Sequence, residues 1–329
     1  VSHKCEHSVL YYYLKIEPIT IKIHEMIRLA LLCILFFVAC GKKDSIRAEK
    51  EIISAVSEQK VPAGHSKGDN NSKIEGITIM SWNLQWFPGR YPKPTEEQKI
   101  KHIAGAKKVL SENPVDVICF QEISNADAMK DLIGVLPDYK MHVISNFEGN
   151  LQVGIASSIE PVAGYQEEFH PGEVDPPRGF AFAAYKEGND YTLVYCVHLK
   201  SNWGEDEKNF PKRAESARQL VAHSEKVSKD FKAQGAEKIK IIFAGDFNTD
   251  PRSERFSKEL TSGILEKADF KWSWEDSTFE DRVTWVSNGR FPDASFDHFF
   301  YRGVEKVSCF FVKDSEEASD HRSIIFNFK

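Results

Sequence analysis

Apolar runs of strand length recur along the chain from residue 76 onward, with turn-forming residues between them. They are ITIMSW (77–82), VDVICF (115–120), FAFAAY (180–185), YTLVYCVHL (191–199), IKIIFA (239–244), FDHFFY (296–301) and SIIFNF (323–328). Many are rich in Ile, Val, Phe and Tyr and predict β-strands. Helical spacing lies between some of them. Ala214, Ala217, Leu220, Val221, Ser224, Val227 and Phe231 follow an i, i+3, i+7 pattern in a segment opened by Pro211. Ile100, Ile103, Ala104 and Leu110 repeat that pattern more weakly. No fixed-period repeat is present, and one α/β domain over residues 76–329 accounts for the pattern.

The first 75 residues follow a different logic. Leu29 to Ala39 is an unbroken apolar run behind Arg28, too short to span a bilayer but suited to a secretory signal. It ends at Cys40, and FVAC resembles the bacterial lipoprotein signal, with Phe37 where Leu is usual. That resemblance implies cleavage before Cys40, its lipidation, and stable anchoring by several acyl chains. An ordinary cleaved signal or a short buried helix would fit the same run. Met26 is the expected true start, because a signal belongs at the N-terminus. Residues 41–75 are polar and read as a flexible linker: Ile46 to Ser57 could form a loose helix, and PAGHSKGDNNSK reads as a tether. The expected division is therefore 1–40 (upstream extension and signal), 41–75 (linker) and 76–329 (catalytic domain).

Composition changes this picture little. With 41% hydrophobic and 28% charged residues, the 329-residue chain is ordinary globular protein. A formal net charge of −6 gives no broad footprint for polyanions, so nucleic-acid binding would need a metal or a local basic patch. Of the six cysteines, Cys119, Cys196 and Cys309 fall inside apolar strand-like segments of the domain. They predict buried, unpaired thiols; neither a disulfide framework nor zinc spacing is visible.

The informative feature is what stands at the strand ends. SWNLQWF ends its strand with Asn83, and VICFQEI with Gln121 and Glu122. YCVHLKSN delivers His198, Lys200, Ser201 and Asn202, and IIFAGDFN delivers Asp246 and Asn248. SFDHFF carries Asp297 and His298; ASDHRS carries Ser319, Asp320 and His321. Asp250 and Pro251 can cap and open a following helix, which leaves Asp246 free for other work. Any one of these has a dull explanation as a cap, a turn or a loop tip. Together they point to a site where strand ends converge.

The ordered set SWN, QE, HLKS, GDFN, FDH and SDH resembles the endonuclease/exonuclease/phosphatase superfamily, from about Ile77 to the C-terminus. That group includes deoxyribonuclease-I-type enzymes, apurinic endonucleases, inositol polyphosphate 5-phosphatases and neutral sphingomyelinases. The resemblance implies a four-layer α/β/β/α sandwich in which two mixed β-sheets pack face to face. It also implies a divalent-metal phosphohydrolase, normally using magnesium, with manganese or calcium as alternatives. Glu122 is the first choice of metal ligand, with Asn83 against the same ion and Asp320 as ligand or neighbour. His321 is the natural general base, oriented by Asp297. His198 would donate to the phosphate or the departing oxygen. Asp246 and Asn248 would align the attacking water and the phosphoryl group, with Asp246 as base left open. His298, beside Asp297 in a strand, must face the opposite side and reads as structural.

Arg178, Lys200 and Asn202 are candidate phosphate contacts, and Lys212, Arg213 and Arg322 lie close enough in sequence to join them. FKWSWEDSTF (270–279) could stack bases, dip into a lipid interface or pack on the domain; packing is the expected outcome. HLKSNWGEDEKNFPKRAESARQL looks like extracytoplasmic nuclease-type members, implying cleavage of DNA, or RNA, by a monomer. A membrane is the other expected partner, through the lipid anchor; no protein partner is inferable. The expected location is the cell envelope, lipid-anchored and facing the periplasm or exterior, with secretion as the alternative. A sphingomyelinase-like or small-molecule phosphodiesterase is the competing activity, and an inactive binding module the non-enzymatic reading.

Overall fold

A computed structural model describes residues 76–149 and 151–329. The signal, Met26, Cys40 and the linker through residue 75 lie outside the described residues. The chain order is β1 (Thr78–Phe87), α1 (Glu96–Glu112), β2 (Val117–Ile123), α2 (Ala126–Ile133), β3 (Lys140–Ile144), β4 (Gln152–Ser157), β5 (Ala163–Glu168), β6 (Gly179–Glu187) and β7 (Asp190–His198). It continues with α3 (Asp206–Ala233), β8 (Ile239–Asp246), α4 (Thr261–Lys267), β9 (Lys271–Trp272), α5 (Phe279–Arg282), β10 (Asp297–Arg302), β11 (Ser308–Phe311) and β12 (Ile324–Asn327). No described helix is long and apolar enough to cross a membrane.

The strands form two six-stranded mixed sheets, ordered β11-β12-β1-β2-β4-β3 and β5-β6-β7-β8-β10-β9. This is the four-layer sandwich, and strand alternation builds it. Along β1, Ile79 faces the other sheet, and Met80, Trp82 and Leu84 face outward beneath Ala106, Val109 and Leu110 of α1 and Met129 and Leu132 of α2. The inter-sheet core contains Val117, Cys119, Val153, Cys196, Ile242, Ala244, Phe299 and Phe326, with the last two rings stacked at 5.0 Å. Thr95 and Gln98 close a full capping box at the start of α1, and Asn125 caps α2.

Two local expectations are corrected. Pro211 does not open α3: the helix begins at Asp206, and the proline lies inside its second turn. The carbonyl deprived of a donor there is that of the exposed Glu207, which water can satisfy. Asp250 caps no helix either. Its buried carboxylate accepts from the Arg252 amide (3.0 Å) and pairs with Arg282 at 2.7 Å, since a buried charge must be matched. The aromatic segment packs on the domain: Phe270, Trp272 and Trp274 are buried, and Phe279 alone of the four is exposed. Cys119, Cys196 and Cys309 are free, the first two buried.

Candidate active site

The polar strand ends gather at one end of the inter-sheet core. In the second sheet, three neighbouring strands place three functional groups side by side: His198 of β7 is in register with Asp246 of β8, and Asp246 with Asp297 of β10. Cross-strand partners share a face. The face here is the inner one, because Cys196, Ala244 and Phe299, two residues away on each strand, are core residues. Gly245 makes the register attainable: its φ is +150°, and a Cβ there would lie 2.0 Å from the carbonyl oxygen of Val197. Any side chain would push β8 off β7 one residue before Asp246. His298 points to the outer side, bonded to the Thr249 carbonyl at 2.7 Å and edge-on to Trp272.

The first sheet supplies the opposite wall. Asn83 of β1 is paired with Gln121 of β2, so plain alternation would turn Glu122 away from Asn83. A register shift follows Gln121, and Glu122 takes φ +60°, which returns its carboxylate to the Asn83 side. The Asn83 amide nitrogen then bridges two acids, donating to Glu122 Oε1 (3.2 Å) and Asp246 Oδ2 (2.9 Å). Its amide oxygen accepts from the Gln85 amide at 3.0 Å. Asn83 thus ties the two sheets together, and offering its oxygen to an ion requires the amide to turn over. Glu122 Oε2 accepts from the Trp86 amide at 2.9 Å.

His321 stands between the walls. Its Nδ1 is 2.7 Å from Asp297 Oδ2 and its Nε2 is 3.9 Å from Asp246 Oδ2. The main chain around it is fixed by three further groups. Ser319 Oγ donates to the Asn83 carbonyl (2.7 Å) and accepts from the His321 amide (3.1 Å). The Trp82 indole donates to the His321 carbonyl at 3.0 Å, and Thr284 Oγ1 accepts from the Asp297 amide at 2.9 Å. Ser319 is visible in SDH and Trp82 in SWN, though the motifs give neither a role; Thr284, in a loop, carries no sequence signal. Asp320 accepts from the Trp285 indole at 3.2 Å, while its Oδ1 is buried without a partner among the described residues.

His198 Nε2 lies 3.7 Å from Glu122 Oε1 and 3.6 Å from Asp246 Oδ2. Burial first, and then the charges of Arg178, His321 and Lys200, hold its imidazole neutral, well below the ordinary histidine value. Burial also raises Glu122 above its ordinary value and lifts Asp246 to about 7. For His321 burial pushes the other way, but Asp297, Asp246 and Asp320 together outweigh it and raise the imidazole well above its ordinary value. Asn248 donates from its amide to Asp246 Oδ1 (2.9 Å) and from its side chain to the Leu199 carbonyl (3.3 Å).

The other candidates divide. Arg178 has φ +66° and holds the carbonyls of His198 and Leu199, each at 3.0 Å, and its charge acts on Glu122, Asp246 and His198. Asn202 supports the site from outside, donating to the Asn248 carbonyl at 2.9 Å. Lys200 curls onto its own loop, donating to Ser201 and to the Trp203 carbonyl. Arg322 is held by Val283 and Glu316. Arg213 cannot grip a phosphate: it is fully buried and forms a two-pronged pair with Glu259, both bonds 2.7 Å. Its remaining donors hold the Lys200 carbonyl (2.8 Å) and Asn202 Oδ1 (3.3 Å), so it supports the loop after His198. Glu259→Ala is expected to cost about 3–5 kcal/mol by stranding that charge. Thermal melting should show recovery in the double variant Arg213→Met/Glu259→Leu, whose turnover nevertheless stays low because the loop has lost its donors.

The residues fit a hard divalent cation. Carboxylate and carboxamide oxygens are the ligands such an ion takes. Asp246, Asp297 and His321 offer atoms within 4.8 Å of one another, and Asp297 Oδ1 is buried with no partner among the described residues. His321 Nδ1 is already engaged by Asp297, so the acids that burial leaves in need of positive charge are Glu122 and Asp246.

Solved structures share this fold. A truncated TDP2 from Caenorhabditis elegans superposes with a TM-score of 0.56 at 18% identity, covering 77% of this chain and 98% of that one. Sphingomyelinase C from Streptomyces griseocarneus gives 0.57 at 15% identity, over 76% and 98%. An endonuclease/exonuclease/phosphatase family protein from Leptotrichia buccalis gives 0.55 at 15%, over 77% and 99%. No curated protein matches the sequence. The profile of the Endonuclease/Exonuclease/phosphatase family matches residues 80–321, a span that runs from β1 to His321 itself. The chain belongs to the Endonuclease/Exonuclease/phosphatase family.

Proposed function

We propose that this protein is a metal-dependent phosphodiester hydrolase that cleaves nucleic acid, DNA first, outside the cytoplasm and anchored to a bacterial membrane through Cys40. The observation that carries the hydrolase reading is the His321 imidazole, held by Asp297 at Nδ1 and aimed with Nε2 at Asp246, across from the Asn83–Glu122 pair. Glu122 and Asp246, with Asn83 once its amide turns, would hold magnesium; Asp320 is the further candidate ligand. Bound there, the ion would neutralise charge on the phosphoryl oxygens. His321 Nε2 takes the proton of the attacking water, and Asp297 keeps the imidazole in the tautomer that can accept it. Neutral His198 donates toward the phosphoryl group or the departing oxygen. Asp246 and Asn248 align the water. Nucleic acid as substrate is supported by the segment after His198, where an exposed Trp203 stands beside the Lys200 ammonium that donates to its carbonyl.

Residues 76–329 should nick or degrade plasmid DNA with magnesium, more slowly as salt rises. Glu122→Gln should need more magnesium for the same rate. Hydrolysis of sphingomyelin with no cleavage of plasmid, single-stranded DNA or RNA would replace the nuclease reading with its competitor. In the full chain, Cys40→Ala should leave the protein unprocessed or released; unchanged partition into detergent would refute the anchor.

A further inference from the structure

A groove of about 390 Å³ opens where β1 runs out, walled by Trp86, Pro88, Tyr91, Pro92, Pro94 and Lys99. It adjoins the catalytic centre, because Trp86, whose main-chain N–H holds Glu122, is also one of its lining residues. The sequence gives it shape. Gln85 and Trp86 both take positive φ (46° and 56°), where the pairing of β1 with β2 shifts register between Asn83 and Phe87. Gly89, at φ +119°, sits where a Cβ would lie 2.2 Å from Pro94, so the loop folds back on itself. The Gly89 amide is bonded to the buried His102 at 2.8 Å, and Arg90 ties the loop to Gln85 and to the Glu317 carbonyl. The groove is preformed.

We infer that this groove is the subsite for the nucleobase next to the scissile phosphate, stacked between aromatic and proline faces. The inference rests on the nucleic-acid reading above. Three features favour a base over an apolar tail. Flat rings, those of Trp86, Tyr91 and three prolines, dominate the lining, with Tyr91 exposed rather than sunk in the core. Polar side chains, those of Ser124 and Asn125, line it beside Phe87 and Ala128, and Asn125, whose Oδ1 caps α2, keeps its amide nitrogen without a partner among the described residues. Lys99 also lines the groove; its ammonium lies 2.6 Å from the exposed Glu96, a weak surface pair that a neighbouring phosphate can displace.

The test uses oligonucleotides with a single cleavable phosphodiester, in which the base on one side or the other is replaced by a tetrahydrofuran abasic residue. With magnesium, removing one of the two bases should lower kcat/KM of the native protein about tenfold, within the range of one base–aromatic stack. In Tyr91→Ala that penalty should shrink to within about twofold, because the two changes remove the same contact. Tyr91→Phe should keep it. Equal rates on intact and abasic strands overturn the subsite while leaving the nuclease reading standing. So does a penalty that Tyr91→Ala leaves intact, since the base is then read elsewhere. Cleavage of no strand removes the nuclease reading and the subsite with it. Loss of sphingomyelin hydrolysis in Tyr91→Ala, with oligonucleotide cleavage spared, assigns the groove to a lipid and overturns the proposal.

Discussion

His321→Ala is expected to lower turnover by at least about 10²-fold, the lower end for a lost general acid–base group. Asp297→Asn should cost less, and the double variant should fall near the level of His321→Ala alone. The reason is geometric. Asp297 is fully buried, its Oδ2 is 2.7 Å from His321 Nδ1, and its other oxygen meets no partner among the described residues. Its one side-chain hydrogen bond is to the imidazole, and through that bond it acts on the proton transfer. An amide in its place keeps the ring but no longer enforces which nitrogen carries the proton. Residues that act as one unit lose activity non-additively. Multiplicative losses in steady-state kinetics would separate the two roles and refute the pairing.

How much of this was legible beforehand depends on which face of a strand a residue occupies. The strands found in the sequence are those buried on both sides, such as β7 and β8, whose runs are continuously apolar. Those not singled out lie at or near sheet edges. β5 reads AGYQEE because it borders solvent, and β11 is half exposed. β4 hid behind Gln152 and Gly154, although Gln152 is buried and accepts from both Ser145 Oγ and the Phe147 amide. The site was more legible than the fold, because acids and imidazoles at the ends of apolar runs have few structural uses. Its electrostatics were not. A motif says that His321 and Asp246 are present; only the packing says that burial and neighbouring charge move both of them. Sequence placed Arg178 ahead of Arg213 but could not show what occupies Arg213. Both stand in polar segments near motifs, yet one is consumed by Glu259, which lies 46 residues further along the chain.

The pH dependence of cleavage should identify the base. Asp246 is lifted to about 7, first by burial, and becomes useful to an attacking water only once it has lost its proton. A carboxyl with that value gives a rate that rises with pH through about 7, rather than near the ordinary carboxylate range. His321 is raised further from its own norm by Asp297, Asp246 and Asp320, so as a base it too works only as pH rises, after it discharges. A bound dication favours the ionised carboxylate and the neutral imidazole, and moves both transitions downward. Raising magnesium should therefore shift the acid limb to lower pH, and the variants assign it. If His321 is the base, His321→Ala loses the limb and Asp246→Asn lowers the plateau while keeping a limb. The limb in Asp246→Asn should also move down, because the imidazolium has lost a carboxylate 3.9 Å away that favoured its charge. The measurement is kcat against pH at two magnesium concentrations for the native protein and both variants. A limb that survives in His321→Ala and vanishes in Asp246→Asn assigns the proton transfer to Asp246 and leaves His321 a charged neighbour of the phosphoryl group.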